Sequence, residues 1–173
     1  GFRPLIYGLA SFIPSRVYEF LKLQISLDAL PVIVVGDGGG LVYSQLGHSH
    51  QSLDDLALVT SLPNFRVFSP SSDEEMNQVV RQSYESSGPT YIRIGKSDGG
   101  FSGSFPNSII EPYLVTTGSM ESIALIAHGA MTARVHGLMS SGEIPNLDMW
   151  SCPTIFPIPQ SFMEILLDRY TDV

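Results

Sequence analysis

Val32-Ile-Val-Val35 is an unbroken run of β-branched residues, preceded by Pro31 and closed by Gly36-Asp-Gly-Gly-Gly40. A strand apolar on both faces needs cover on both faces, and the usual cover is two layers of helix. The surrounding pattern supplies candidates. From Arg16 to Ala29 apolar residues recur at Val17, Phe20, Leu21 and Ile25, which predicts a helix entered at Pro14 and stopped by Pro31. Ser52-Leu-Asp-Asp55 places a hydroxyl at a cap and carboxylates in a first turn, which predicts a second helix. Phe65 to Phe68 is a short strand closed by Pro70. Ser72-Asp-Glu-Glu75 is a capping box for a helix running to about Ser86, Gly88-Pro89 breaks it, and Thr90 to Gly95 is the next strand. Alternation of this kind predicts an α/β fold with a doubly wound, mostly parallel sheet.

A second, smaller α/β unit is expected further on. Its strands are Ile123 to Ala127 and Leu147 to Trp150, with helices from about Ala130 to Met139 and Gln160 to Tyr170. Residues 97–108 are rich in Gly and Ser and read as a linker. The organisation expected is a first domain over 1–97, a linker over 98–117 and a second domain over 118–173.

Charge and cysteine content narrow the function classes. The net charge of −8 is spread along the chain, with no Lys/Arg cluster, which argues against nucleic acid and anionic membrane surfaces as partners. The single cysteine, Cys152, allows neither a disulfide framework nor a Cys/His zinc site, and a reducing, cytoplasmic setting fits. Apolar runs are strand-length, short of a membrane span, and no secretory leader is expected.

Four segments in order carry a family resemblance. They are Gly1-Phe-Arg-Pro4 with Ala10-Ser-Phe12 and Arg16-Val-Tyr-Glu19; Gly40-Leu41 with Gly47-His-Ser-His-Gln51; Asp54-Asp-Leu-Ala57 with Leu62-Pro-Asn64 and Pro70-Ser-Ser-Asp-Glu74; and Gly88-Pro-Thr-Tyr-Ile-Arg93. Together they resemble the pyrimidine-binding domain of transketolase-like thiamin-diphosphate enzymes over residues 1–97. Ala124-Leu-Ile-Ala-His-Gly129 and Ile155 to Pro159 are similar, more loosely, to that family's C-terminal domain.

The resemblance implies thiamin diphosphate as cofactor, with Mg2+ held by a separate pyrophosphate-binding domain or subunit and no metal ligand in this chain. It implies a homo- or hetero-oligomer, and transfer of a two-carbon ketol unit between sugar phosphates or sugar derivatives. Phe12 falls where the family stacks an aromatic on the aminopyrimidine; a core Phe at a helix entry is the structural alternative. Leu9 occupies a neighbouring position that is often aromatic. His50 aligns with the histidine that reaches substrate and is the catalytic and substrate-binding candidate, against a loop histidine bonded to backbone. His48 is a second substrate-side candidate. Lys96 aligns with a basic residue that anchors substrate phosphate in some relatives, against a solvated lysine.

Arg16 and Glu19 are read as ion-pair or dimer-contact residues, Asp55 as a helix-start carboxylate and Arg93 as a strand residue with a packing role. Gly36-Asp-Gly38 with Asn64 superficially resembles a Mg2+–diphosphate signature, but Leu62-Pro-Asn64 belongs to the pyrimidine-domain pattern and a hard cation needs more oxygen ligands. Where the family carries an acid before Gly47 and a histidine near Gly38, this chain has Leu46 and glycine, so contacts to sugar hydroxyls are expected to differ. The family's cofactor-activating glutamate lies upstream of the first segment. The chain is therefore expected to be part of a longer protein or one half of a split enzyme, inactive alone. Two other expectations stand beside ketol transfer: the β part of a 2-oxoacid dehydrogenase or a deoxyxylulose-phosphate-synthase-like enzyme, and a non-catalytic dimerisation or regulatory module.

Overall fold

β1 (Leu5–Leu9), β2 (Ile33–Asp37), β3 (Arg66–Phe68) and β4 (Thr90–Ile94) run parallel in the spatial order β1-β2-β4-β3. The computed structural model that shows this describes residues 1–96, 106 and 111–173. The β-branched run makes β2 a central strand. Val32 and Val34 face one core with Leu21, Val59, Leu62, Phe65, Val67 and Tyr91. Ile33 and Val35 face the other with Phe68, Val79 and Ile92. Helices lie on both faces: α3 (Asp55–Thr60) contributes Val59 to the first core, and α4 (Asp73–Glu85) contributes Val79 to the second. Each buried Val or Ile side chain contributes about 1.5–3 kcal/mol.

The long helix expected over Arg16 to Ala29 is broken. α1 (Ile13–Arg16) gives way at Val17 (φ −122°) to α2 (Tyr18–Phe20), which widens into a π-helical stretch, Leu21–Ser26. Tertiary bonds anchor the end of that stretch. Ser26 Oγ donates to the Pro63 carbonyl at 2.5 Å, and Asn64 Nδ2 donates to the Ser26 carbonyl at 3.0 Å. The helix expected to be capped by Ser52 starts instead at Asp55, with no side-chain cap. Ser52 is taken by an antiparallel backbone bridge to Gly40, which competes with capping.

The capping box of α4 is half formed. Glu75 N donates to Ser72 Oγ at 3.2 Å, but the Glu75 carboxylate takes the amide of Ser71 rather than that of Ser72. Ser72→Ala is expected to cost about 1 kcal/mol, read as a lowered urea midpoint with an unchanged slope.

The second sheet has β7 (Leu147–Ser151) at its centre, parallel to β6 (Met120–Ala127) and antiparallel to β5 (Tyr113–Thr116). α5 (Ala130–Ser140) and α6 (Gln160–Arg169) pack on it, through Met139 against Met149 and through Phe162 and Leu166 against Trp150. Asp148 is fully buried and accepts from Arg169 Nη2 (2.6 Å), Tyr170 Oη (2.8 Å) and Gly118 N (2.8 Å). The fold is thus α/β, with a parallel-rich first sheet and a smaller second one. Of the segment read as a linker, residues 98–105 and 107–110 lie outside the described residues, and its last part is β5. β8 (Thr154–Phe156) returns to the first sheet and pairs antiparallel with β3. No helix among the described residues is long and apolar enough to cross a membrane.

Candidate functional site

Ligands of open parallel sheets bind beyond the carboxyl ends of the strands. Here those ends bring together Phe12, Asp37, the loop 38–52 and Lys96. Ala10 N donates to the Asp37 carbonyl at 2.7 Å, and Phe12 N to the Leu9 carbonyl at 2.9 Å, so Phe12 is set just past β1. Its half-buried ring carries the Arg16 guanidinium 3.9 Å from its centroid on one face. The His50 ring meets it edge-on, with centroids 5.2 Å apart and planes at 63°. Arg16, read as an ion-pair or dimer-contact residue, therefore meets an aromatic ring. Guanidinium over a ring is attractive and fixes ring orientation.

The loop bearing His50 is tied at its neck. The Gly40–Ser52 bridge closes it, and Arg93 on β4 forks onto the far side: Nε to Asp55 Oδ2 at 2.8 Å, Nη2 to Asp55 Oδ1 at 3.2 Å, and Nη2 to the Ser52 carbonyl at 3.1 Å. Tyr91 Oη adds a bond to Asp55 Oδ2 at 3.0 Å. Burial, and then the Asp55 charge, push the Tyr91 phenol far up. Asp55 is therefore the acceptor of a buried cluster as well as a helix-start residue, and Arg93 forms a buried ion pair rather than simply packing. Gly39 lies against the guanidinium, where a Cβ would collide with it. Within the loop His50 N donates to the Gly47 carbonyl at 3.0 Å, and His50 Nδ1 is 2.9 Å from Ser49 Oγ.

The structure brings Phe12 and His50 together. His48 is exposed on the same loop, and Lys96, also exposed, places its ammonium 5.2 Å from the centroid of Tyr43. Tyr43 Oη donates to Asp37 Oδ2 at 3.0 Å. Both Tyr43 and Tyr7 are shifted upward, chiefly by a hydrogen bond to Asp37. Asn64 sits before β3, at the opposite end of the sheet from Asp37, so the two do not share a site. Among the described residues no three His, Cys, Asp or Glu side chains group as metal ligands. Behind the site, at the junction with the second sheet, His128 Nδ1 is 3.0 Å from Ser69 Oγ. Burial, and then the nearby Arg93 charge, lower its basicity, with Asp55 opposing.

Sequence reasoning passed over Tyr43 and Tyr7 and considered Asp37 only for metal. A signal for the Arg93–Asp55 pair was present: an arginine inside an otherwise apolar strand needs a buried partner.

Residues 2–100 match the family described as transketolase, pyrimidine binding domain. The 1-deoxy-D-xylulose-5-phosphate synthase of Dechloromonas aromatica is 30% identical over 137 residues, which cover 77% of this chain and 22% of that protein. The enzyme of the same name from Yersinia pestis is 27% identical over 141 residues, 78% of this chain and 22% of that protein. The chain thus spans about a fifth of the length of these curated relatives. Among solved structures, a split-gene transketolase described as an inactive beta4 tetramer superposes with a TM-score of 0.79 at 24% identity, covering 96% of this chain and 54% of that one. A transketolase from Pichia stipitis gives 0.81 at 16% identity, with 95% and 25% covered. At such identities the superpositions speak for the fold.

Proposed function

The chain belongs to the transketolase pyrimidine-binding domain family, and on that premise we propose that it is the pyrimidine-binding and C-terminal part of a thiamin-diphosphate-dependent enzyme transferring a two-carbon ketol unit between sugars or sugar derivatives. A pyrophosphate-binding domain or subunit completes it and holds Mg2+. The observation that carries this reading is the pairing of Phe12 with His50 at the strand ends.

The residues fit the cofactor's pyrimidine. Phe12 is half-buried with one face held by Arg16, which suits it to stack a flat heteroaromatic ring. The chemistry thiamin diphosphate supplies when bound is carbanion stabilisation. The chain's own share is orientation and proton handling. Ser49 engages His50 Nδ1, which assigns proton exchange with a substrate hydroxyl to Nε2. Arg16 and the edge-on imidazole hold the Phe12 ring in place, and the neck of the loop keeps His50 beside it. Lys96, at the end of β4, is suited to a substrate phosphate.

Calorimetry on the chain assembled with its pyrophosphate-binding partner tests the reading. Thiamin diphosphate with Mg2+ is expected to bind, and Phe12→Ala to weaken it about tenfold. His50→Ala is expected to leave cofactor affinity near that of the wild type while lowering ketol transfer from fructose 6-phosphate, a sugar phosphate with which a Pichia stipitis transketolase was solved, on the order of a hundredfold or more. Failure of the assembled wild type to bind thiamin diphosphate would replace this reading with a non-catalytic module. A second reading is favoured by the curated relatives, both 1-deoxy-D-xylulose-5-phosphate synthases: decarboxylation of a 2-oxoacid before transfer. Carbon dioxide release from pyruvate, measured beside ketol transfer, separates the two.

A further inference from the structure

At the amino ends of the strands stands an arginine with no counter-charge among the described residues. Arg66 opens β3 and pairs in register with Thr90, the first residue of β4. Asp37 pairs with Ile94, four steps further along β4, so about 13 Å of strand separates Arg66 from the end that carries Phe12 and His50. The Arg66 side chain is half-buried, with its guanidinium carbon 5.3 Å from the centroid of the Phe68 ring. Its Nη2 and Nη1 donate to the Gln82 side-chain oxygen at 3.1 and 3.3 Å. Among the described residues no carboxylate comes within ion-pair distance of it. Burial lowers its basicity, yet a guanidinium stays protonated in a protein, so the charge persists there.

Two cavities flank this guanidinium. One, of about 310 Å³, is walled by Pro157, Ile158 and Pro159 and includes Glu111, whose carboxylate repels an anion. The other, of about 400 Å³, lies among Asn64, Ser86, Ser87 and Gly88, with no acid among the described residues that line it. Donors remain on that side. A guanidinium has five N–H groups, and Gln82 takes one from each of two nitrogens. Asn64 Nδ2 gives one hydrogen to the Ser26 carbonyl at 3.0 Å and keeps the other. The Ser87 hydroxyl is exposed. Ser86 is committed to its own turn: Oγ donates to the Gly88 carbonyl at 3.0 Å and accepts from Gly88 N at 3.2 Å. Arg3 Nη1 donates to the Ser86 carbonyl at 2.5 Å, which sets a second guanidinium against the same turn. Donors from three separate side chains suit a tetrahedral oxyanion better than a carboxylate, whose about four acceptor positions lie in one plane.

We propose that Arg66, Asn64 and Ser87 form a binding site for a phosphate group, free or carried by a small monoester, at the amino end of the sheet. The ketol-transfer reading does not require this site, and the site does not require that reading.

The test is titration calorimetry with inorganic phosphate, glycerol 3-phosphate and acetate, without thiamin diphosphate, on the chain assembled with its pyrophosphate-binding partner. Both phosphates are expected to bind at millimolar concentration. Arg66→Gln is expected to weaken them about tenfold or more, the scale of lost charge-assisted hydrogen bonds. Arg66→Lys keeps the charge without the fork and is expected to weaken them several-fold. Ser87→Ala, at an exposed position, is expected to weaken them a few-fold, and it carries the test if the Arg66 variants do not fold. Lys96→Gln is expected to leave the Arg66-dependent binding unchanged. A tighter glycerol 3-phosphate identifies an organic monoester as the ligand, and equal affinities identify free phosphate. Absence of phosphate binding at millimolar concentration overturns the proposal. So does binding that neither the Arg66 variants nor Ser87→Ala weaken, and so does acetate binding as tightly as phosphate.

Discussion

Asp55→Ala is expected to remove about 3–5 kcal/mol of folding stability, the range for taking one partner from a buried ion pair. Asp55 is 1% exposed, and the Arg93 side chain it pairs with is 15% exposed. Without the carboxylate, the guanidinium loses two of its three acceptors and Tyr91 Oη loses its own. Water cannot replace them easily, because the place of the carboxylate is 1% exposed and Gly39 lies against the guanidinium. The Arg93→Met/Asp55→Leu double variant is expected to be less damaged than either single one, since no charge is left stranded. Urea unfolding of the three proteins measures both statements. A single-variant loss below about 1 kcal/mol would mean the neck of the loop is held by the Gly40–Ser52 bridge alone.

The second large effect is expected at Glu75. This carboxylate is fully buried and joins α4 to the second sheet: Oε1 accepts from Tyr113 Oη on β5 at 2.8 Å and from Ser151 Oγ on β7 at 2.6 Å, while Oε2 accepts the Ser71 amide at 2.5 Å. Glu75→Ala leaves three donors without that acceptor and a cavity where the side chain lay. The cost is expected to be about 3–5 kcal/mol, spread over both sheets. Cys152 gives a local readout. Burial, and secondarily the Glu75 charge, push its thiol up to about 11, so it is a poor nucleophile at neutral pH. In Glu75→Ala the junction opens more often, and alkylation of Cys152 by iodoacetamide is expected to accelerate by an order of magnitude or more. Equal alkylation rates in the two proteins would show that Glu75 does not fasten the sheets.

The parts of this fold legible in the sequence are those written in local chemistry. Val32 to Val35 announced a doubly covered strand, and Ser72 with Glu75 announced the start of α4, because both signals lie within a few adjacent residues. What was not legible is set by distant partners. Ser52 carries the composition of a cap, yet a backbone bridge to Gly40 claims it. The Arg16–Ala29 periodicity is helical, yet Pro63 and Asn64 pull its far end into a wider turn. β1 and β8 are edge strands, 5 and 3 residues long, with too little alternation to stand out. At the site, Phe12 and His50 came from the resemblance, whereas the Asp37–Tyr43 contact needed the path of the loop.

β8 has a consequence for how the protein is made. The residues that cover the β3 edge come some ninety positions after it, with the whole β5–β7 unit in between. During synthesis the nascent first sheet therefore waits with an open edge at β3 until Thr154–Phe156 has left the ribosome. A version cut back to the first ninety-seven residues would keep that edge permanently bare. Such a piece is a candidate for self-association through β3, and a chaperone-dependent stage in the cell is the corresponding expectation for the chain that carries β8.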